Sequence, residues 1–395
     1  MNFVFVSPHF PKTYWNFCER LHRNGVNVLG IGDAPFDEIP WQLKHCLTEY
    51  YRVNDLGNYD EMLRAVAYFT FHYGKIDWLE SNNEYWLMQD AQLRTEFNIT
   101  TGPKLQDMAK IKFKSAMKEY YAKAGLPTAR YHLVQGLDDA LEFAHYVGYP
   151  VVVKPDNGVG ANNTFKLCSD DDMRWFISNK NDEVYIMEEY VNGYVQTYDA
   201  IVDSKGAPLF ESGNVTPLSL MDIVNEGGDS IYYLVKDLPE RIRDAGLRTV
   251  KAFGVKSRFI HLEFFILNED QEGLGKKGDI LGLEVNMRPA GGYTPEMYNY
   301  NQETDVYKIW ADMVCFDTNT KPIGNHHYCA FYSRRDGRHY KLDDYEITLK
   351  YKDKLKMWGR IPDALSGAMA NQMYVCNFDT EEEMNQFYQD MAATY

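Results

Sequence analysis

Two apolar segments with charged or polar residues at alternate positions constrain the fold of this 395-residue chain most strongly. These positions are His261 and Glu263 in residues 259–266, and Glu284, Asn286 and Arg288 in residues 282–292. Because alternate side chains of a β-strand share one face, each set should project together. Strands this apolar usually bury both faces, where charges are costly unless they are paired or bound to a cation. The pattern therefore predicts a site for hard metal ions and phosphate, with ion pairs on exposed strand faces as the alternative.

Composition indicates a folded protein with two or three domains. Hydrophobic residues make up 45% of the chain and charged residues 25%, which is ordinary for globular proteins. The formal net charge of −16 disfavours nucleic-acid binding, because phosphate backbones attract clustered Lys and Arg. The six cysteines contain no Cys-x-x-Cys pair, and no apolar run reaches the roughly 20 residues of a membrane helix. We therefore expect a cytoplasmic protein with no membrane anchor and no nucleic-acid partner.

The first hundred residues alternate between strand and helix patterns, which predicts an open α/β domain. Residues 3–6 and 26–32 are typical of strands, with a helix between them at residues 14–23. A later strand at residues 76–84 ends in a crowd of polar groups. Open α/β sheets bind ligands at the carboxyl ends of their strands, so this segment should help to form a pocket. No Gly-x-Gly-x-x-Gly follows the first strand, so NAD is not predicted.

The rest of the chain mixes helices with strands that resemble hairpins. The predicted helices span residues 107–124, 137–147 and 238–253, and the predicted strands span residues 150–154, 184–191, 198–202, 328–333 and 373–377. Residues 215–235 lack a clear period, and we expect a loop beside the site. We interpret Arg334 and Arg335 as part of a solvated hairpin turn.

Lys154 ends a Val-Val-Val run and precedes Gly158 and Gly160. Its ammonium is a point charge that suits phosphate oxygens. Glycine has no Cβ, so backbone amides in this loop could approach those oxygens closely. A glycine-rich hairpin turn without a ligand is the alternative. We interpret His261 as a hydrogen-bond partner of a neighbouring carboxylate and not as a catalytic base.

The order of these motifs resembles the ATP-grasp superfamily. The series consists of a basic helix with Lys110, Lys112 and Lys114, then Lys154 with its glycine loop, then Glu188 to Val191, then Glu263, and finally Glu284-Val285-Asn286-Met287-Arg288-Pro289. The last motif is similar to that of carboxylate-amine ligases and biotin-carboxylase-like enzymes. The resemblance implies an N-terminal α/β (pre-ATP-grasp) domain at residues 1–104 and an ATP-grasp domain of two α+β subdomains at residues 105–315. It places the lid subdomain at about residues 125–190 and leaves a small α+β appendage at residues 316–395.

The same resemblance implies a role for each motif residue. The implied ATP-binding residues are Lys114, Lys154, Gly158, Gly160, Glu188, Glu189, Tyr190 and Val191, with Lys112 as the alternative to Lys114. The implied metal ligands are Glu263, Glu284 and Asn286, and the implied catalytic residue is Arg288. ATP and Mg²⁺, with Mn²⁺ as a substitute, would be the cofactors.

The implied reaction is that of an ADP-forming ligase, which activates a small carboxylate as an acyl phosphate for attack by an amine. A bicarbonate-activating carboxylase-type enzyme and a nucleotide-binding regulatory protein without turnover are the alternatives. Two positions depart from the family pattern. Gly193 is followed by Tyr194-Val195-Gln196, without the acidic residue that often binds ribose, and the glycine loop has Ala161-Asn162-Asn163 where a serine is frequent. A homodimer is the default expectation for the oligomeric state.

Overall fold

The computed structural model describes residues 1–158, 163–217 and 228–395. Its N-terminal part is a parallel four-stranded sheet with the strand order β3-β2-β1-β4. The elements are β1 (Asn2–Val6), α1 (Trp15–Arg23), β2 (Asn27–Gly32), α2 (Trp41–Cys46), β3 (Glu49–Arg52), α3 (Tyr59–Tyr73), β4 (Trp78–Glu80) and α4 (Leu87–Glu96). Phe3 and Phe5 pack in one core, whereas Val4 and Val6 pack in another on the opposite face. Burial of both faces explains why this strand is continuously apolar.

The chain then forms two short helices, α5 (Ala109–Lys112) and α6 (Lys114–Lys123). The prediction of one continuous helix over residues 107–124 was wrong, because Phe113 is extended. Asp156 causes the break from a distant loop. Its carbonyl accepts from the Lys114 amide at 2.9 Å, and its carboxylate accepts from the Ser115 amide and hydroxyl at 2.8 and 2.7 Å. A carboxylate at a helix N-terminus also complements the helix dipole.

A small antiparallel sheet follows, with the strand order β5-β8-β6-β7 and two helices packed against it. The elements are β5 (Tyr131–Leu133), α7 (Leu137–Val147), β6 (Val151–Pro155), β7 (Phe165–Leu167), α8 (Asp170–Asn179) and β8 (Tyr185–Glu189). Gly160 of the predicted glycine loop lies outside the described residues, as do its neighbours 159, 161 and 162. Gly158 precedes this gap.

In the described part of the chain, the largest sheet is antiparallel and has nine strands in the order β14-β13-β9-β11-β12-β15-β17-β16, with β10 paired to β9. The strands are β9 (Gly193–Val202), β10 (Pro208–Ser212), β11 (Asn214–Thr216), β12 (Ser230–Leu234), β13 (Arg258–Leu267), β14 (Ile280–Asn286), β15 (Tyr328–Arg334), β16 (Leu355–Arg360) and β17 (Gln372–Phe378). The helices are α9 (Glu240–Phe253), α10 (Thr294–Asn301), α11 (Val306–Phe316), α12 (Asp344–Lys350), α13 (Asp363–Met369) and α14 (Glu381–Ala392). The C-terminal strands expected in an appendage thus extend this sheet, and the domain boundaries themselves stay predictions.

Strands β9 and β13 divide this sheet into two chemically different faces. Tyr198, Ala200, Leu262 and Phe264 face helices α6 and α9 and form an apolar core. The alternate positions on the same strands carry polar and charged residues, including Thr197, Asp199, His261 and Glu263. The period of two therefore places these polar side chains together on the face of the sheet opposite that core.

Two further expectations need correction. Strands occupy both ends of segment 215–235, so it is not one long loop, although residues 218–227 lie outside the described part. Arg334 is buried, with 4% of its surface exposed, and its guanidinium donates to the carbonyls of Leu342 and Met391. The interpretation of a solvated turn was therefore wrong for this residue. No helix among the described residues is long and apolar enough to span a bilayer.

Candidate active site

Two carboxylates face each other on adjacent strands at one edge of the large sheet. Glu263 on β13 is paired directly with Glu284 on β14, and a bulge follows Glu263. Like charges opposite each other across a sheet are destabilising unless something compensates for them. Here Lys114 Nζ lies 3.2 Å from Glu284 Oε1, and His261 Nε2 lies 3.1 Å from Glu263 Oε1. Lys114 and His261 therefore provide the positive charge that compensates the opposed carboxylates.

Asn286 and Arg288 continue the same surface. The Asn286 amide donates to Glu263 Oε1 at 3.3 Å, and its oxygen accepts from Arg288 Nη2 at 3.1 Å. Arg288 Nε lies 3.3 Å from Glu84 Oε2. Glu84 belongs to a turn after β4, so the N-terminal domain contributes a carboxylate to the site. The expected position of residues 77–84 beside a pocket agrees with this contact.

His261 is held between two carboxylates. Its Nδ1 lies 2.6 Å from Asp199 Oδ1, and Asp199 is fully buried and also accepts from the Thr197 hydroxyl at 2.7 Å. Burial alone lowers the pKa of the imidazole, but Asp199 and Glu263 outweigh burial and raise that pKa to about 9. The ring is therefore a cation at neutral pH, and it donates a hydrogen bond from each nitrogen. This geometry fits the interpretation of His261 as a hydrogen-bond partner.

A second charged cluster surrounds Glu188 on β8. Lys154 Nζ lies 2.6 Å from Glu188 Oε2, and Lys118 forms an ion pair with the other oxygen. Burial opposes ionisation of this carboxylate, yet the two ammonium groups offset burial and lower its pKa to about 2. The sequence analysis missed Lys118. Its spacing of four residues from Lys114 places both lysines on one face of α6, and that spacing could have revealed it.

The neighbouring lysines Lys112 and Lys114 point to different partners. Lys112 Nζ lies 2.5 Å from Glu84 Oε1. Lys114 Nζ donates to the Gly158 carbonyl at 2.9 Å, in addition to its contact with Glu284. Lys114 therefore connects the start of the glycine loop to the carboxylate pair.

The residues that connect β8 to β9 join the small sheet to the large one, and a cleft of about 380 Å³ lies between the two sheets. We call it the main cleft. Its lining includes Lys114, Lys154, Glu188, Glu189, Tyr190, Val191, Glu263, Glu284, Asn286 and Arg288. The structure thus brings together every described site residue of the sequence analysis except Gly158, which contacts the cleft residue Lys114 through its carbonyl.

One part of the main cleft is apolar, and the sequence analysis did not identify it. The side chains are those of Ala129, Val152, Phe265 and Leu283, next to Val191. Val152 and Phe265 each lie two positions from a charged cleft residue on the same strand, so the strand period could have found them. Glu189 is engaged with Arg130, whose Nε lies 2.8 Å from Glu189 Oε2. The cleft therefore combines an apolar slot with a charged end.

Comparison with curated proteins gives partial matches, and no protein-family model matches the chain. The carbamoyl phosphate synthase large chain of Thermotoga petrophila is 28% identical over 200 residues, which cover 47% of this chain and 17% of that protein. The L-arginine-specific L-amino acid ligase of Bacillus subtilis is 24% identical over 264 residues, covering 63% of this chain and 60% of that protein. The chain thus matches less than two thirds of the length of these relatives.

Solved structures match over nearly the whole chain. An L-amino acid ligase from Bacillus licheniformis has a TM-score of 0.71 at 15% identity, covering 99% of this chain and 96% of that one. The biotin carboxylase domain of a Hydrogenobacter thermophilus 2-oxoglutarate carboxylase, solved with MgADP, ADP and bicarbonate, has a TM-score of 0.66 at 14% identity. The match covers 98% of this chain and 89% of that one. These relatives and structural neighbours are ATP-grasp enzymes. The chain therefore has the mixed α/β fold of the ATP-grasp ligases, and the resemblance found in its motifs is confirmed.

Proposed function

We propose that this chain is an ATP-dependent, ADP-forming ligase that activates a small carboxylate as an acyl phosphate and joins it to an amine. The supporting observation is the opposed pair Glu263 and Glu284, which lies in one cleft with Lys114, Lys154 and Arg288. Phosphoryl transfer depends mainly on positioning and charge neutralisation, and this donor set provides both. The similarity to two L-amino acid ligases supports the same class of reaction.

The carboxylates fit a divalent cation. Mg²⁺ prefers carboxylate and amide oxygens, and Glu263, Glu284 and Asn286 offer these on two neighbouring strands. Within residues 1–158, 163–217 and 228–395, no three His, Cys, Asp or Glu side chains are grouped to hold a metal alone. Such an arrangement suits Mg²⁺, which usually completes its shell with water and substrate phosphates. Bound there, Mg²⁺ or Mn²⁺ would neutralise phosphate charge beside the carboxylate pair.

The rest of the main cleft fits ATP. Lys114 and Lys154 would hold phosphate oxygens, and Lys112 is the weaker candidate because its ammonium is turned to Glu84. The apolar slot suits the flat face of adenine, whose edge would meet the backbone of residues 189–191. The amides of Gly158 and Gly160 would add phosphate contacts.

In the proposed reaction, an oxygen of the substrate carboxylate attacks the γ-phosphorus of ATP and ADP leaves. The amine nitrogen then attacks the carbonyl carbon of the acyl phosphate, inorganic phosphate leaves with the bonding electron pair, and the nitrogen loses a proton to solvent. Arg288 would hold the transferred phosphoryl group, since its guanidinium stands beside the metal ligands and offers several donors. The small sheet would cover the site and keep water from the acyl phosphate.

The test is ADP release from ATP and Mg²⁺ with a panel of amino acids, hydroxy acids and bicarbonate, with hydroxylamine as the trap for acyl phosphates. We expect stimulation by at least one amino or hydroxy acid, together with formation of its hydroxamate. Stimulation by bicarbonate alone would favour the carboxylase-type reaction, which the likeness to the biotin carboxylase domain makes the second candidate. No stimulation by any carboxylate would contradict the proposal. The cytoplasmic location and the homodimer stay predictions.

A further inference from the structure

A second cleft of about 270 Å³ opens from the main cleft. We call it the side cleft. The two share Val195, Thr216, His261, Glu263 and Gly291. The side cleft runs from the carboxylate pair across β11 and β12 to the end of helix α13. A small molecule in it would therefore begin beside the metal and phosphate site and extend away from it.

Two buried polar side chains in the side cleft lack partners. Asn214 is 5% exposed and Ser230 is 6% exposed, and both line the cleft. The Asn214 side-chain amide and the Ser230 hydroxyl hydrogen-bond no atom in the described parts of the chain. Both side chains line the open space of the cleft, so their polar atoms are available to hydrogen-bond a ligand there.

A third polar group is available beside them. The Thr294 hydroxyl donates to the Gly291 carbonyl at 2.8 Å. The Tyr232 hydroxyl, 3.1 Å from Thr294 Oγ1, must therefore be the donor to it. The Tyr232 oxygen is left free to accept. The cleft thus offers donors on Asn214 and Ser230 and acceptors on all three side chains.

The outer wall of the side cleft is fixed. Met369 at the end of α13 lies against Gly292, where a Cβ would come within 2.6 Å of the Met369 methyl carbon. Gly292 also has φ +63°, a conformation that side chains rarely adopt. Arg335 holds this helix, because its guanidinium donates to the carbonyls of Ser366 and Gly367. The wall therefore limits the length of the ligand.

Charge in the side cleft is confined to the end shared with the main cleft. Among the described lining residues, the charged side chains are His261 and Glu263, which are paired with each other at 3.1 Å. The far end is lined by neutral groups such as Ser230 and Met369. A charged substituent there would lose its hydration without gaining a counter-charge, and this is costly.

We propose that the side cleft selects a carboxylate substrate whose side chain is small, uncharged and hydrogen-bonding, such as a hydroxyl or carboxamide group. Asn214, whose backbone amide donates to Thr197 on the strand position paired with Glu263, is the specificity-determining residue, and Met369 limits side-chain length. This inference depends on the proposed ligase function for its chemistry, because it places the reacting carboxylate next to Glu263. A site that hydrogen-bonds a substrate group rejects the isostere that lacks it, since its own buried groups are then unsatisfied.

The first experiment uses the unmodified chain and isosteric substrate pairs. ADP release is measured with threonine against valine, asparagine against leucine, and arginine and glutamate as charged probes. We expect kcat/KM to favour the polar uncharged member of each pair at least about tenfold. Equal or better use of valine, leucine or a charged probe would overturn the inference while the ligase function stands.

The second experiment assigns the selection to residues. Asn214→Leu should reduce the preference for asparagine or threonine about tenfold and leave kcat/KM for leucine or valine within about twofold. Asn179→Leu, at an exposed position on α8, is the matched control and should change neither. A preference that is unchanged in Asn214→Leu would contradict the assignment.

Calorimetry separates failure of the inference from failure of the proposed function. Binding of the same carboxylates is measured in the presence of a non-hydrolysable ATP analogue and Mg²⁺. If no carboxylate stimulates ADP release but threonine or asparagine binds at least about tenfold tighter than its isostere, the ligase proposal fails and the side-cleft proposal stands. If none binds and none stimulates, both fail.

Discussion

The main cleft and the side cleft share a wall but satisfy their polar groups in opposite ways. In the main cleft, Lys154 pairs with Glu188 and Lys114 pairs with Glu284. In the side cleft, the side chains of Asn214 and Ser230 have no hydrogen-bond partner in the described parts of the chain. The main cleft therefore holds its charges in ion pairs, whereas the side cleft leaves neutral side chains available for hydrogen bonds to a ligand.

The difference follows from the cost of burial. An unpaired buried charge costs several kcal/mol, so charges that must wait for a ligand need a temporary partner. An unpaired amide or hydroxyl costs only about 1–3 kcal/mol and can stay open until a ligand arrives. We infer that the paired residues exchange partners when a charged ligand binds. The neutral side chains of the side cleft would instead discriminate between neutral ligands.

The largest effect is expected from Glu284→Gln, which keeps the shape of the side chain and removes one charge of the opposed pair. We expect Mg²⁺-dependent ATP turnover to fall about a thousandfold or more, because the cation that would neutralise the phosphate charge loses a carboxylate ligand. Turnover is measured by ADP release, and folding by the thermal transition. Glu272→Gln, exposed on the hairpin between β13 and β14, is the matched control. Undiminished turnover in Glu284→Gln would remove the basis of the metal assignment.

Glu188→Gln tests the paired cluster itself. Lys118 and Lys154 would both lose their counter-charge while buried, and we expect the free energy of unfolding to fall by about 3–5 kcal/mol at pH 7. The pKa of Glu188 is lowered to about 2 from an ordinary 4.5. Its contribution to stability is thus present above about pH 4.5 and lost as the pH falls to 2. Urea unfolding of both proteins from pH 7 to pH 3 should show the difference shrinking.

An exposed residue provides the control for this loss. Glu183 lies just before β8 and accepts a hydrogen bond from Asn181. Glu183→Gln should change stability by less than about 0.5 kcal/mol. If Glu188→Gln is no more destabilising than this control, the cluster is not a mutually stabilising set.

Glu296 on α10 sharpens the comparison, because it is a buried carboxylate that contacts the hydroxyls of Tyr307 and Thr13 and, among the described residues, no cation. Burial raises its pKa from 4.5 to about 7. The folded state then holds the proton over this interval, so stability should fall as the pH rises from 4.5 to 7. Glu296→Gln should remove that loss and exceed the wild type at pH 8 by up to about 3 kcal/mol. If the free energy of unfolding changes in parallel with pH in the two proteins, Glu296 is not the source of this pH dependence.

The part of the site that lies on strands was predictable from sequence. A period of two and an apolar background are enough to place Glu284 and Asn286 on one face of β14. The pairing of β13 with β14 then brings Glu263 to the same face.

The part that depends on distant contacts was not predictable. Asp156 interrupts the helix at Phe113 from more than 40 residues away, and β15 joins β12 across a long connection. Arg335 was interpreted as solvated, yet it fixes α13 over the side cleft. Local periodicity carries no information about which distant backbone carbonyl a side chain will meet.

The smallest effect is expected from Arg335→Lys, which keeps the charge but replaces a planar fork by a single ammonium. The new side chain cannot hold the carbonyls of Ser366 and Gly367 together, so α13 and Met369 should be less fixed over the side cleft. We expect KM for the carboxylate to rise about fivefold with kcat unchanged, because binding is weakened equally in the ground and transition states. Arg360→Lys, which changes an exposed bidentate pair with Asp336, should leave both constants unchanged. A fall in kcat at constant KM would place the effect of Arg335 in the main cleft, and the two regions would then be coupled more closely than their chemistry indicates.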